Sequence, residues 1–279
     1  MNWIVGIAVL VIIGYLLDRE IYFYEGVHLG PRVQAWLYDR WSRKYDEGKR
    51  ESQLRDGEML ARPILEALKV IPEPFILDFA TGTGRLAYAL MSQSDFKGHI
   101  IALDLSQGML EQAASKLAGR VAEGVSKPVE FLRHVSLPLP FPDAAFDVVC
   151  ALEVLELFPT MDEPLAEFAR VLRPGGLFLT SRGTEESGRK AKVKSVPEYT
   201  SLLERNGFKN VQVTKWWKLF DRTLATNVGD SNPVEKHNLQ DVLKCSSCGQ
   251  TRWEKTANAM RCGHCGIELS ITKEGTVLG

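Results

Sequence analysis

Short apolar runs alternate with helical patterns through the middle of the chain. The pattern predicts strands over residues 75–79, 99–104, 129–132, 146–152 and 176–182. It predicts helices over residues 85–92 and 107–121 and a third that ends at residue 172. Strands buried on both faces read as continuous apolar runs, and the helices between them are crossovers. The alternation therefore predicts an α/β fold with a doubly wound parallel sheet, whose ligand crevice lies at the carboxyl ends of the strands.

The amino-terminal segment is a second apolar feature. Residues 1–17 carry no charged side chain, and residues 3–17 read WIVGIAVLVIIGYLL. Such a helix spans about 26 Å, slightly less than the roughly 30 Å hydrocarbon core of a bilayer. No Lys or Arg precedes the run and no small-x-small cleavage site follows it. We predict a retained membrane anchor over residues 1–24, with a cleaved signal peptide and a buried core helix as alternatives.

Basic residues follow the apolar run, and only the terminal amine precedes it. The first five are Arg19, Arg32, Arg40, Arg43 and Lys44. The positive-inside rule then predicts that the catalytic part of the chain lies on the cytoplasmic side of the membrane. A second basic run, at residues 189, 190, 192 and 194, is a candidate contact for anionic headgroups, with a solvated loop as the alternative.

Two C-x-x-C pairs stand near the carboxyl terminus. Cys245 and Cys248 form the first pair, and Cys262 and Cys265 form the second, thirteen residues later. Four thiolates at this spacing predict a closed, structural Zn²⁺ site in a zinc ribbon over residues 244–279. Two disulfides are the alternative, which the cytosolic character of the remaining chain disfavours.

The amino-acid composition of the chain excludes some classes of protein. The 279 residues include 34 Lys and Arg against 35 Asp and Glu, with 45% hydrophobic and 25% charged residues. This balance is that of an ordinary folded protein and excludes a disordered chain. A net charge of −1 also argues against a dedicated nucleic-acid binder, so no nucleic-acid partner is expected.

A glycine turn follows the first predicted strand. The strand runs into Asp78-Phe-Ala-Thr-Gly82-Thr-Gly84, and Asp104 ends the next strand twenty residues later. The glycines permit a sharp turn, and the free N–H groups of the following helix attract a carboxylate or a phosphate. The turn also satisfies the permissive dinucleotide pattern G-x-G-x-x-A. An oxidoreductase would also use a Tyr-x-x-x-Lys pair, but Tyr45 and Lys49 precede the turn and are interpreted as part of a surface helix.

Five ordered motifs favour a different family. They are the segments 77–84, 102–110, 139–147, 170–176 and 202–208. Together they resemble class I S-adenosylmethionine-dependent methyltransferases over residues 36–227, and most closely the group that includes the ubiquinone/menaquinone-biosynthesis methyltransferases. The resemblance implies a Rossmann-like, seven-stranded sheet with an antiparallel last strand and S-adenosylmethionine as cofactor.

The resemblance also implies roles for individual residues. The methionine end of the cofactor is assigned to Asp78, Ala80, Thr81, Gly82, Thr83 and Gly84. Asp104 is assigned to the ribose, Leu105 and Met109 to the adenine, and Ala151 and Glu153 to the sulfonium and the acceptor. Many relatives carry an Asp for the adenine amino group where this chain has His134 and Val135. Either His134 or the backbone of Val135 takes that role, or His134 is an exposed loop residue.

The sequence therefore predicts a membrane-anchored methyltransferase with a small, lipophilic acceptor. Residues 25–69 form a helical lid segment containing Tyr38, Trp41 and Tyr45, residues 70–227 form the catalytic core, and residues 228–243 are a linker. Glu153 is the candidate catalytic residue. The alternatives are a non-catalytic scaffold that recruits a protein partner through the zinc ribbon, and an NAD(P)-dependent oxidoreductase.

Overall fold

A computed structural model describes residues 2–119, 128–187 and 193–279 of the chain. These residues form eight α-helices: α1 (Asn2–Asp18), α2 (Pro31–Gln53), α3 (Arg62–Ala67), α4 (Arg85–Met91), α5 (Gln107–Ala118), α6 (Asp162–Val171), α7 (Val196–Arg205) and α8 (Leu239–Val242). The strands are β1 (Phe75–Phe79), β2 (His99–Asp104), β3 (Val129–Arg133), β4 (Phe146–Ala151), β5 (Leu172–Gly183), β6 (Phe208–Lys215), β7 (Phe220–Asn227), β8 (Trp253–Lys255), β9 (Ala259–Cys262), β10 (Glu268–Ser270) and β11 (Thr276–Leu278). Most of the second basic run, at residues 189, 190 and 192, lies outside the described residues.

The main sheet has the predicted doubly wound topology with one addition. Its strand order is β11-β3-β2-β1-β4-β5-β7-β6. All neighbouring pairs are parallel except those that involve β7, which is antiparallel to both β5 and β6. The strand order reverses between β1 and β4, so a crevice opens at their carboxyl ends.

The central strands are buried on both faces, as their apolar sequences require. All residues of β1 and β4 are buried, and two apolar clusters cover opposite faces of the sheet. Phe75, Phe146 and Phe168 belong to one cluster, and Ile76 and Leu179 belong to the other. This alternation along β1 fixes the register of the sheet, because a shift by one residue would exchange its two faces.

The amino-terminal helix α1 stands apart from this core. It has 17 residues, and its apolar side chains are exposed on all sides; Trp3 is 70% and Leu10 is 69% exposed. Among the described residues, no helix combines the length and the apolarity needed to cross a membrane. A π-helical turn (Arg19–Phe23) and a 3₁₀ turn (Val27–Leu29) connect α1 to α2.

The carboxyl-terminal segment departs from the predicted architecture. Strands β8, β9 and β10 form a small antiparallel sheet, but β11 leaves it and pairs in parallel with β3. The main sheet therefore has eight strands rather than the seven expected. The three residues of β11 cover an edge of β3 that would otherwise expose unpaired backbone groups.

Candidate active site

The glycine turn after β1 lines the bottom of the crevice. Ala80, Gly82 and Gly84 have φ values of 54°, 55° and 77°, the left-handed region that favours glycine. A Cβ on Gly84 would come within 3.0 Å of the Ala113 Cβ, so this glycine permits the close packing of α4 on α5. A Cβ on Gly82 would meet only the Tyr45 ring, at 3.9 Å. The absence of a side chain on Gly82 thus leaves the Tyr45 ring close to the turn without crowding it.

Asp104, at the end of β2, is held by backbone donors. Its Oδ2 accepts a hydrogen bond from the Gly82 N–H at 2.8 Å, and its Oδ1 accepts one from the Ser106 N–H at 2.9 Å. Burial raises the pKa of Asp104 to about 6, against the lowering effect of these N–H groups. A carboxylate fixed at the carboxyl end of a strand beside a glycine turn is suited to accept hydrogen bonds from a ribose.

Asp78 and Thr81 lie behind the turn. The Thr81 hydroxyl donates to Asp78 Oδ2 at 2.6 Å, and the Thr81 N–H donates to the Leu103 carbonyl at 3.0 Å. Burial raises the pKa of Asp78 to about 7. Both side chains are buried and neither lines the cavity, so in this structure they stabilise the turn from below.

A cavity of about 480 Å³ lies over the turn, within the range of small-molecule sites. Eight of the residues predicted for the site line it: Ala80, Gly82, Asp104, Leu105, Met109, His134, Val135 and Glu153. The structure brings these residues together from the ends of β1, β2, β3 and β4. The other predicted residues, which do not line the cavity, are Asp78, Thr81, Thr83, Gly84 and Ala151.

The far side of the cavity is apolar. The side chains that line it there follow β4 or end β1, and they are Phe79, Leu152, Val154, Leu157 and Phe158. The cavity therefore has polar groups at the ends of β1 and β2 and a group of apolar side chains after β4.

His134 lines the cavity and also carries a buried polar atom without a partner. Its Nε2 is buried and has no hydrogen-bond partner among the described residues, and burial lowers its pKa. Its backbone N–H donates to the Asp104 carbonyl at 3.0 Å, which ties it to the ribose side. The structure therefore does not place His134 as an exposed loop residue.

Glu153 lines the cavity, but both of its carboxylate oxygens are occupied. Lys49 Nζ lies 2.5 Å from Oε2 and Arg85 Nη1 lies 2.9 Å from Oε1. The residue has a φ of 54°, and its N–H donates to the Ser181 hydroxyl at 2.7 Å. Arg85 also forms a two-point ion pair with Asp56, at 2.6 and 2.7 Å. Glu153 thus joins the loop after β4 to α2 and α4, and its catalytic role stays a prediction.

Helix α2, within the segment predicted as a lid, contributes side chains to the cavity lining. Tyr38 and Tyr45 line the cavity, whereas Trp41 packs on Tyr38 with ring centroids 5.5 Å apart. Tyr45 and Lys49 do lie on a helix with one exposed side, as interpreted, but their side chains are turned towards the interior. Lys49 is only 25% exposed because it reaches inward to Glu153.

Two carboxylates of α2 also bind the loops around the cavity. Asp39 accepts hydrogen bonds from the Ser106 hydroxyl at 2.6 Å and from the Gly108 N–H at 2.8 Å. Asp46 accepts one from the Thr83 hydroxyl at 2.5 Å and forms an ion pair with Lys116. In the sequence, these two acids are separated by seven residues, or two helical turns. This spacing is too common on surface helices to predict specific contacts.

The four cysteines of the two C-x-x-C pairs come together in the small carboxyl-terminal sheet. Their Sγ atoms all lie within 4.8 Å of one another, with Cys245–Cys265 at 3.5 Å and Cys248–Cys262 at 3.6 Å. A tetrahedral zinc with Zn–S bonds of about 2.3 Å requires S–S distances of about 3.8 Å. The donor set and its geometry therefore fit a closed zinc site.

The central part of the chain matches a known family. Residues 77–180 match the family model described as a methyltransferase domain. The chain is 29% identical over 212 residues to a demethylmenaquinone methyltransferase of Lactobacillus johnsonii, covering 64% of this chain and 86% of that protein. It is 32% identical over 185 residues to an O-methyltransferase of Aspergillus nomiae, covering 61% and 80%.

A solved structure shares the fold. It is a SAM-dependent methyltransferase from Aquifex aeolicus, with a TM-score of 0.53 and 21% identity. The match covers 68% of this chain and 98% of that chain.

Proposed function

Because this chain belongs to the class I S-adenosylmethionine-dependent methyltransferases, we propose that it methylates a lipophilic, quinone-like small molecule. The observation that carries the proposal is the single cavity with a glycine turn and Asp104 on one side and apolar side chains on the other. The relative from Lactobacillus johnsonii is named for demethylmenaquinone, whose ring and tail fit an apolar acceptor side.

The residues present fit the cofactor. Asp104 would offer a carboxylate to the ribose hydroxyls, and the glycine turn at Ala80 and Gly82, which lines the cavity, would take the amino acid end. His134 and Val135 line the cavity beside Leu105 and Met109, where the adenine would bind. When bound, S-adenosylmethionine supplies an electrophilic methyl group on a sulfonium.

The chain's own contribution to methyl transfer is alignment and exclusion of water. The apolar side chains hold the acceptor ring, and Tyr38 and Tyr45 of α2 close the cavity from above. Holding two reactants in line converts a bimolecular step into an effectively unimolecular one. No free carboxylate is needed for that task, which agrees with the ion pairs that occupy Glu153.

We also propose that α1 inserts into a lipid bilayer and keeps the catalytic part on the cytoplasmic side. Its apolar residues have no protein partner that buries them, and they are exposed around the whole helix. Burial of such a surface in lipid recovers about 25 cal/mol for each Å² removed from water. The basic residues that follow the helix support the orientation.

We further propose that the cysteine cluster holds one structural zinc. The donor set supports the proposal, and four thiolates leave no open position for catalysis. The N–H groups of Cys265 and His264 lower the pKa of Cys262, whereas the neighbouring thiols raise that of Cys248, and a bound cation would favour the thiolate form of both.

Two measurements test the proposed activity. We expect saturable binding of S-adenosylmethionine by calorimetry and transfer of labelled methyl to demethylmenaquinol in detergent or vesicles. The Asp104→Ala variant should lose at least tenfold in cofactor affinity, since the loss of a buried charge-assisted hydrogen bond costs about 1.5–3 kcal/mol. Cofactor binding with no transfer to any lipid-extract component would favour the scaffold instead. Tight NADH binding without S-adenosylmethionine binding would overturn the proposal.

A further inference from the structure

The loop between β3 and β4 carries part of the cavity lining. Residues 134–145 form this β3–β4 loop, and its first four residues all line the cavity. His134 and Val135 do so beside Leu105 and Met109, where the adenine of the cofactor would bind. A shift of the β3–β4 loop would therefore change the wall against which the adenine is expected to lie.

The start of the β3–β4 loop is bonded from two sides, because β3 lies between β2 and β11. On the β2 side, the His134 N–H donates to the Asp104 carbonyl at 3.0 Å. On the β11 side, the Gly279 N–H donates to the Arg133 carbonyl at 3.0 Å. Arg133 Nε in turn donates to the Leu105 carbonyl at 3.3 Å. The carboxyl-terminal segment thus holds the residue that links β3 to Leu105.

The middle of the β3–β4 loop is also bonded by two different parts of the chain. Glu167 of α6 accepts a hydrogen bond from the Leu139 N–H at 2.8 Å. From the carboxyl-terminal segment, the Lys244 N–H donates to the Pro140 carbonyl at 2.7 Å. Leu139 and Leu243 also belong to one buried apolar cluster. The four cavity-lining residues of the loop therefore lie between two points that the carboxyl-terminal segment holds.

We propose that Lys244 and Gly279 are positioning residues for the adenine of the cofactor. Neither residue lines the cavity. Through their backbone N–H groups they hold the β3–β4 loop in the arrangement that lines it, so that the loop need not be ordered when the cofactor binds. Ordering a loop in advance raises affinity, because its entropy cost is then met during folding. The inference rests on the proposed place of the adenine.

The carboxyl-terminal segment has further contacts that hold it to the main sheet. Val242 and Trp253 are buried in the shared apolar cluster. Glu130 of β3 accepts hydrogen bonds from the Leu239 N–H and from Lys255 Nζ, both at 2.7 Å. Removal of the two N–H donors should therefore loosen the β3–β4 loop without detaching the segment, which separates positioning of the loop from general stability.

Two double variants of the full chain isolate the two donors. Lys244→Pro with Gly279→Pro, the proline pair, removes both N–H groups. Lys244→Ala with Gly279→Ala, the alanine pair, keeps both N–H groups and makes similar changes to the side chains. Leu243 has φ −69° and ψ 117°, which suit the residue before a proline. The control Thr256→Pro removes an N–H that donates to the Ala259 carbonyl at 2.8 Å, at the turn between β8 and β9.

The first readout is the preference for adenine over hypoxanthine. Calorimetry gives the dissociation constants of S-adenosylhomocysteine and S-inosylhomocysteine, which differ at the amino group of the base, and mass spectrometry checks the metal content of each variant. We expect the proline pair to bind S-adenosylhomocysteine about three- to tenfold more weakly, the range of one net hydrogen bond, and to lose most of the preference. The alanine pair and Thr256→Pro should retain it. General destabilisation would weaken both ligands equally and leave their ratio unchanged.

Hydrogen exchange of the free protein is the second readout. The amides of residues 134–141 should exchange faster in the proline pair than in the alanine pair or in Thr256→Pro. Equal exchange in all three, or an unchanged ratio of the two ligands in the proline pair, would overturn the proposal. If the proline pair loses its metal, Gly279→Pro alone decides, since Gly279 is not next to a cysteine in the sequence. If the unchanged chain binds neither ligand, the proposed function fails, and faster exchange in the proline pair would support the anchoring of the loop alone.

Discussion

Asp104 performs two tasks whose requirements differ. Its carboxylate fixes the glycine turn through the Gly82 N–H, and it also faces the cavity where a ribose would bind. Burial favours the neutral acid, whereas hydrogen bonds from N–H and O–H donors favour the ionised form. Cofactor affinity is therefore linked to the protonation of this group.

This linkage predicts a pH dependence of cofactor binding. The pKa of Asp104 is raised to about 6, so below that pH the empty site holds a proton that binding must displace. The dissociation constant of S-adenosylmethionine should rise about tenfold for each pH unit below 6 and level off above 7. Calorimetry from pH 5 to pH 8 checks this. The Asp104→Asn variant serves as control, and a wild-type curve as flat as that of the variant would contradict the prediction.

Glu156 is a second buried carboxyl. Unlike Asp104, it has no proposed ligand contact that would offset the cost of burying its charge. It is 8% exposed, its Oε1 has no partner among the described residues, and burial raises its pKa to about 7. An unfolded Glu titrates at about 4.3, so the folded chain binds a proton that the unfolded chain has lost. The free energy of unfolding therefore falls as pH rises from about 4 to 7 and stays reduced above that.

Replacement of this carboxyl should stabilise the protein at alkaline pH. Glu156→Gln should raise the free energy of unfolding by about 1–3 kcal/mol at pH 8 and change it little at pH 5. Denaturant unfolding at both pH values measures the difference. The exposed Glu204→Gln is the matched control and should have no such effect. Equal gains at both pH values would show that the cause is not the charge.

At the scale of secondary-structure elements, α2 is the helix that contacts the loops around the cavity. Its residues contact the glycine turn, the start of α5 and the loop after β4, through Asp46, Asp39 and Lys49 respectively. Asp46 and Lys49 also form ion pairs, with Lys116 and Glu153. We expect that loss of the Lys49–Glu153–Arg85 network would loosen α2 over the cavity.

The network provides a test of the predicted catalytic role of Glu153. If its function is to hold α2 and α4, Glu153→Gln should lower the free energy of unfolding by about 3 kcal/mol and weaken cofactor binding. The kcat at saturation and its pH profile should then stay unchanged. A general base would instead show a kcat at least about 100-fold lower and an altered pH profile. Lys49→Met is the companion variant, which breaks the same network without touching the carboxyl.

Sequence patterns predicted contiguous features better than distant contacts. Gly82 and Asp104 belong to short segments whose strand–turn–helix context repeats in many proteins, so they could be predicted. The partners of Glu153 could not, since Lys49 and Arg85 lie 104 and 68 residues away along the chain. The three residues of β11 are too few for a periodic signal, so the eighth strand was missed as well.

At the scale of the whole molecule, the carboxyl-terminal segment and the main sheet share one hydrophobic cluster. Leu243, Trp253 and Val277 belong to the same buried cluster as Phe141 and Phe146. Glu130 of β3 accepts hydrogen bonds from the Leu239 N–H and from Lys255, both at 2.7 Å. The carboxyl-terminal segment is therefore a structural part of the catalytic core rather than an independent appendage.

Removal of the metal should consequently affect the cofactor site. We expect one zinc per chain by mass spectrometry, and a lower Tm after chelation because metal binding supplies folding free energy. The affinity for S-adenosylmethionine should fall too, since β11 supports β3, whose end carries His134. The control is Cys150→Ala, which removes the cysteine that lies outside the cluster. We expect its zinc content to equal that of the unchanged chain. A chelated protein with an unaltered Tm would contradict the prediction.

The pairing of β11 with β3 has a consequence for how the protein is made. Residues 276–278 meet residues 131–133, so nearly 150 residues must be synthesised after β3 before its edge is covered. During that time the growing chain presents an open strand to any other extended segment, including its own copies on neighbouring ribosomes. If the cysteine cluster holds zinc as proposed, we expect the zinc supply during synthesis to affect how long this edge stays uncovered.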